Sequence, residues 1–159
     1  MAHPAVAALR STYDRLTHRQ RPISPPHILA VDDEEGVRRF VERALKAAGY
    51  IVTVAGDGPE ALNAAARIGR IDLLLVDVNM PRMVGHELAR RLRQATPSLK
   101  VLYLTGFADK LFNDRDTLWA DEAYLEKPCS VNALHEAVAL LLFGHVAAQP
   151  GSTAAPSKI

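Results

Sequence analysis

Four places in the chain carry residue types that could act together on a phosphorylated group. They are Asp32-Asp33-Glu34, Asp77, Thr105-Gly106 and Lys127-Pro128, and each follows a short apolar run. If those runs are strands of one sheet, three carboxylates, one hydroxyl and one ammonium converge on a single crevice. Carboxylates that close raise one another's pKa or have to be neutralised. A hard divalent cation resolves the conflict, and oxygen-only donors with room for waters favour Mg²⁺. Lys127 adds a second positive charge. A carboxylate nucleophile, Mg²⁺ and a lysine suit phosphoryl transfer, where the protein positions the group and neutralises charge on its equatorial oxygens. Thr105 could donate a hydrogen bond to one of those oxygens, and Gly106 lets the backbone approach closely.

Each of these residues has a plainer explanation when taken alone. Asp32 or Asp33 could be a helix N-cap. Asp77 could belong to a strand-end turn, helped by Pro81 and Gly85. Thr105 is a good strand residue, and a lone lysine is usually solvated. Their joint occurrence at the ends of four different strands argues for a site.

The elements that must position them are legible as an alternation of strand and helix. Apolar runs lie at His27–Val31, Tyr50–Ala55, Ile71–Val76, Lys100–Leu104 and Ala123–Leu125. The middle ones are continuous, as expected of parallel strands covered on both faces. The clearest helix is Glu34–Ala48, where Val37, Phe40, Val41, Ala44, Leu45 and Ala48 recur at helical spacing and Gly49 supplies a stop. Weaker helical patterns cover Pro59–Ile68, Val84–Gln94 and Ala108–Trp119. A last helix begins after Ser130, a natural N-cap, and is expected to bury Val131, Leu134, Val138 and Leu141. Five strands alternating with five helices specify a doubly wound α/β sandwich. Ligands of such sheets bind at the carboxyl ends of the strands, where the four groups sit.

Residues 1–25 read as an N-terminal extension, either disordered or a short helix built on Val6, Leu9, Tyr13 and Leu16. Residues 26–143 form the domain, and residues 144–159 read as a disordered tail. Nineteen basic residues against 18 acidic ones leave a net charge of +1, which gives no field for direct nucleic-acid or membrane binding. Cys129 is the only cysteine, so no intrachain disulfide forms, as suits a reducing cytoplasm. It reads as a small packing residue. No apolar run approaches the roughly 20 residues that span a bilayer, and the N-terminus lacks the apolar region of a secretory signal.

The motifs AVDDEE (Ala30–Glu35), LLLVDVNMPRMVG (Leu73–Gly85), LYLTGFA (Leu102–Ala108) and AYLEKP (Ala123–Pro128) fall in a family's order and at its separations. Over residues 26–143 the chain resembles the response-regulator receiver domain of two-component signalling, the chemotaxis-regulator-like fold. The resemblance implies a flavodoxin-like, five-stranded parallel sheet in the order 2-1-3-4-5. It implies Asp77 as phosphoacceptor and Mg²⁺ (or Mn²⁺) held by Asp33, Asp77 and the backbone carbonyl of Asn79, with Asp32 helping through water. Thr105 and Lys127 would contact the phosphoryl group. Thr105 and Tyr124 would form the switch that reshapes a surface made by the Ala108–Trp119 helix, the fifth strand and the last helix. That surface, with Trp119, is the expected contact for a downstream protein or a second copy. The expected phosphoryl source is a sensor histidine kinase or a histidine phosphotransfer protein. Such a protein is not an enzyme beyond catalysing its own phosphorylation and dephosphorylation. Val84 departs from the family, standing where many members carry Asp, and Gly106 replaces the commoner Ala.

The tail after Phe143 is too short for an output domain. This leaves a stand-alone regulator or a receiver detached from a hybrid sensor kinase, and Met1 with the N-terminal extension favours the first. Two other classes fit poorly. An aspartate-nucleophile phosphatase of the haloacid-dehalogenase type needs a second Asp two residues after the nucleophile, where this chain has Asn79. A flavodoxin-like cofactor binder needs a phosphate-binding loop after the first strand, where Asp32-Asp33-Glu34 would repel the phosphate. Finally, Lys127 must point into the crevice while the chain turns away, which predicts a cis Lys127–Pro128 peptide and a Lys127–Asp77 contact.

Overall fold

The computed structural model describes residues 24–106 and 121–144. The helix expected over Ala108–Trp119, the N-terminal extension up to residue 23 and the tail from residue 145 lie outside the described residues. The described elements run β1 (His27–Val31), α1 (Glu35–Ala47), β2 (Ile51–Ala55), α2 (Gly58–Ile68), β3 (Leu73–Asp77), α3 (Gly85–Ala95), β4 (Lys100–Thr105), β5 (Glu122–Glu126) and α4 (Val131–Phe143). All strand pairs are parallel, and the order is β2-β1-β3-β4-β5. The doubly wound architecture and strand order expected from the sequence are both present.

Side chains alternate across the sheet and build two cores. On one face Leu29, Val31, Leu74, Val76, Val101 and Tyr103 pack against Ala61 and Ala64 of α2 and Leu88 and Leu92 of α3. On the other, Ile28, Ala30, Leu73, Leu75, Leu102 and Leu104 meet Val41 and Leu45 of α1 and Leu134 and Val138 of α4. β3 is buried at every residue, so it fixes the middle of the sheet and carries Asp77 at its end.

Local chemistry sets the ends of the helices. Gly49, at φ 91°, stops the chain after α1. Asp57 caps α2 by accepting from Glu60 N at 2.8 Å, and Ser130 caps α4 by accepting from Ala133 N at 3.1 Å. The N-cap of α1 is Glu34, without a side-chain cap bond, so neither Asp32 nor Asp33 fills that role. Asp32 Oδ1 instead accepts from Glu34 N at 2.9 Å. Val131 is not buried as the helical spacing implied. It is 42% exposed, because the first residue of α4 precedes the turn that packs on the sheet.

The N-cap of α3 is Val84, which offers no cap bond and is 52% exposed. Val84→Asp should therefore supply a missing acceptor at little apolar cost, stabilising the fold by about 1 kcal/mol. Thermal melting checks this, and an unchanged or lower Tm would contradict it.

β5 is tied to α3 by a buried network. The Glu122 side chain is fully buried and accepts from Arg93 Nη1 at 2.7 Å and from the Tyr103 hydroxyl at 3.2 Å. Arg93 also donates to Leu99 O through Nε and Nη2, at 3.3 and 3.2 Å. A buried charge needs such a set of partners.

Candidate phosphoacceptor site

Parallel strands put their carboxyl ends on one edge of the sheet, and the chemistry gathers there. β1 delivers Asp32 and Asp33, β3 ends in Asp77, β4 ends in Thr105, and β5 leads into Lys127. Asp32, Asp33 and Asp77 each offer a carboxylate oxygen, and these oxygens all lie within 4.8 Å of one another. Asp32 and Asp77 are buried while Asp33 is exposed at the mouth. An all-oxygen donor set this tight, open to solvent on one side, fits a hard divalent cation that keeps some of its waters.

Lys127 bridges the carboxylates. Its Nζ donates to Asp32 Oδ2 at 2.8 Å and to Asp77 Oδ2 at 3.4 Å, and Glu34 Oε1 lies 3.6 Å away. The Lys127–Pro128 peptide is cis, as expected. Lys127 N donates to Thr105 O at 2.8 Å, so the turn is registered on β4. The Lys127–Asp77 contact is present, but Asp32 is the closer partner.

Electrostatics follow from this packing. Burial pushes the Asp77 carboxyl above the usual carboxylate range, and the neighbouring Asp32 charge adds to that push. The Lys127 charge, the Asn79 N–H and the Lys127 hydrogen bond act in the opposite direction. For Lys127, burial opposes the charged form, yet the bonds and charges of Asp32 and Asp77 outweigh it and raise the ammonium above its ordinary value. Burial likewise raises the Cys129 thiol, which keeps it protonated.

An open cleft of about 630 Å³ lies over these groups, walled by Val37, Phe40, Leu104 and Cys129 and reaching Asn79 and Gly106. Asn79 N donates to Asp77 Oδ1 at 3.2 Å, holding the carboxylate from the loop side. A Cβ on Gly106 would meet nothing within 4 Å, consistent with open space beside the site. Thr105 is fully buried at the end of β4, one residue past Leu104, the β-bridge partner of Asp77. Tyr124 stands apart from the cleft, 40% exposed on β5 and paired with Tyr103.

A family model described as the response regulator receiver domain matches residues 28–139. The chain belongs to this family. It is 36% identical over 116 residues to the sensor kinase CckA of Brucella abortus (strain 2308), an alignment covering 72% of this chain but only 12% of the kinase. It is 40% identical over 101 residues to the response regulator receiver protein CpdR of the same organism, covering 64% of this chain and 83% of CpdR. Among solved structures, the response regulator TrrA of Thermotoga maritima, in complex with Mg²⁺-BeF, superposes with a TM-score of 0.64 at 33% identity, covering 74% of this chain and 99% of TrrA.

In this receiver domain the sequence-derived site residues divide into two groups. Asp32, Asp33, Asp77 and Lys127 are brought into direct proximity, with Asn79 at the rim and Thr105 behind. Tyr124 is on the surface beyond them. Two contacts were not foreseen. Glu34 faces Lys127, and Arg38 Nη1 donates to the backbone oxygen of Asp32 at 2.6 Å. The four-residue step from Glu34 to Arg38 places Arg38 one turn into α1, above the loop it holds, a signal the sequence did carry. Among the described residues, no helix is long and apolar enough to cross a membrane.

Proposed function

We propose that this receiver domain accepts one phosphoryl group on Asp77, with Mg²⁺ bound, from a histidine kinase or a histidine phosphotransfer protein. The observation that carries the reading is the cluster of Asp32, Asp33 and Asp77 oxygens bridged by Lys127. Asp33, Asp77 and the Asn79 carbonyl would hold the metal, with Asp32 acting through water. When bound, Mg²⁺ would neutralise charge on the phosphoryl oxygens beside Asp77. An Asp77 carboxylate oxygen attacks phosphorus, forming a new P–O bond. The bond from phosphorus to the donor breaks, P–N in phosphohistidine or P–O in acetyl phosphate, and its electron pair leaves with the donor. Lys127, released from Asp77 and still held by Asp32, then faces a phosphoryl oxygen, and the Thr105 hydroxyl donates to another.

The unit proposed for this activity is residues 26–143, flanked by 1–25 and 144–159. The proposed output surface is that of segment 108–119, β5 and α4; of its described part, Tyr124 and Leu140 are exposed. That the match spans 83% of CpdR favours a stand-alone receiver, placed in the cytoplasm, and the match to 12% of CckA keeps a hybrid-kinase setting as the second reading.

Acetyl phosphate should label the protein in MgCl₂ and not in EDTA. Lys127→Ala should label roughly 100-fold more slowly, the usual loss when one charge-stabilising donor is removed. The initial rate of labelling by intact mass reads both effects. Equal labelling with and without the metal would refute the proposal.

A further inference from the structure

The loop between β3 and α3 carries Asn79, and it is fastened at both ends. At its base Gly85 N donates to Val78 O at 3.0 Å. At its tip Arg82 Nη1 pairs with Asp57 Oδ2 at 2.7 Å, across to the start of α2. Both Asp57 oxygens are engaged, because the other one caps α2 through Glu60 N. Beside this pair, Met83 lies on Gly58. A Cβ on Gly58 would sit 2.6 Å from Met83 Cβ and 2.8 Å from its Sδ, so the loop comes down where only glycine gives room.

Arg82 is strained. At φ 71° it is the one non-glycine residue in the left-handed region among the described residues. Arginine has no intrinsic reason to adopt that conformation, and its side chain is 71% exposed. Exposed ion pairs contribute little to stability. A strained residue joined to an exposed ion pair is therefore a poor device for holding the fold together. Strain that persists beside a site, fixed by contacts around it, is expected where position matters more than stability.

We infer that the Asp57–Arg82 ion pair is a latch that sets the position of the Asn79 loop for the metal, with Arg82 as a positioning residue. The inference rests on the reading of Asp33, Asp77 and Asn79 as the metal site. Arg82 acts through the three-residue step back to Asn79, and α2 is the fixed point on which the loop is held. Outer contacts that orient metal ligands change metal affinity, and a contact one step removed from the ligand changes it less than one bonded to it.

Mg²⁺ titration of the full chain by calorimetry, paired with thermal melting, separates this role from the alternatives. Arg82→Gly accepts the left-handed conformation and loses the latch. It should melt at or above the wild-type temperature and bind Mg²⁺ about 3-fold more weakly, within what an exposed ion pair can transmit. Asp57→Asn keeps an oxygen for the α2 cap and should weaken Mg²⁺ to a similar extent. The double variant should be no weaker than either single one, and Arg82→Lys should recover most of the affinity. Removing a positive charge from the chain would, by charge alone, favour a bound cation and tighten Mg²⁺ binding. Unchanged or tighter binding in Arg82→Gly therefore overturns the latch while leaving the metal site intact. A parallel fall in melting temperature and affinity overturns it too, as a purely structural role. A wild-type chain that binds no Mg²⁺ overturns the metal reading itself, and the latch with it.

Discussion

Gly85→Ala is expected to destabilise the domain by about 3 kcal/mol, the upper end of the usual cost of overpacking. A Cβ at this position would lie 2.4 Å from the Asp77 backbone oxygen and 3.2 Å from the Asp77 carbonyl carbon and Val78 Cα. These are backbone atoms in and just beyond a fully buried strand, so no side chain can swing aside. Relief requires α3 to move away from the end of β3, which also strains the Gly85–Val78 hydrogen bond of 3.0 Å. The melting temperature should fall by roughly 10 °C. The surviving folded fraction should phosphorylate slowly, because the clash falls on the backbone of Asp77 itself. Gly36→Ala is the matched control. It lies in the first turn of α1, where a Cβ meets nothing within 4 Å, and it should hold or raise the melting temperature. A Gly85→Ala protein that melts like wild type would mean that the β3–α3 junction is looser than its geometry implies.

Much of the fold was legible because burial leaves a periodic trace. β3 had to be covered on both faces to show an unbroken Leu73–Val76 run, and α1 could be read from Val37, Val41, Ala44 and Leu45. The site was legible for a topological reason. In a parallel sheet every strand ends on the same edge, so Asp32, Asp77, Thr105 and Lys127 needed only correct strand ends to be placed together. Pairings between charged residues of different elements were not legible. Arg93 and Glu122 stand 29 residues apart, and each looks like an ordinary solvated charge in its own segment. Asp57 and Arg82, 25 residues apart, are equally silent, since one reads as a helix cap and the other as a turn residue. Periodicity also misled at Val131, which keeps helical spacing with Leu134 and Val138 but lies beyond the end of the packed stripe. Lys127 was expected on Asp77, and its shorter bond to Asp32 depends on a side-chain choice that no spacing encodes.

Asp77 alone is expected to accept the phosphoryl group, and the effect of removing it should be all or none. Asp32 and Asp33 are carboxylates in the same cluster, so the assignment among the three carboxylates has to be made by substitution. Asn is close in shape to Asp and keeps an oxygen for the Asn79 N–H, so Asp77→Asn should fold as wild type does while losing the nucleophile. The decisive measurement is the intact mass of wild type and Asp77→Asn after incubation with acetyl phosphate and MgCl₂. Wild type should gain one phosphoryl group and Asp77→Asn none, with both proteins showing the same melting temperature. A folded Asp77→Asn protein that gains the group as wild type does would contradict the account.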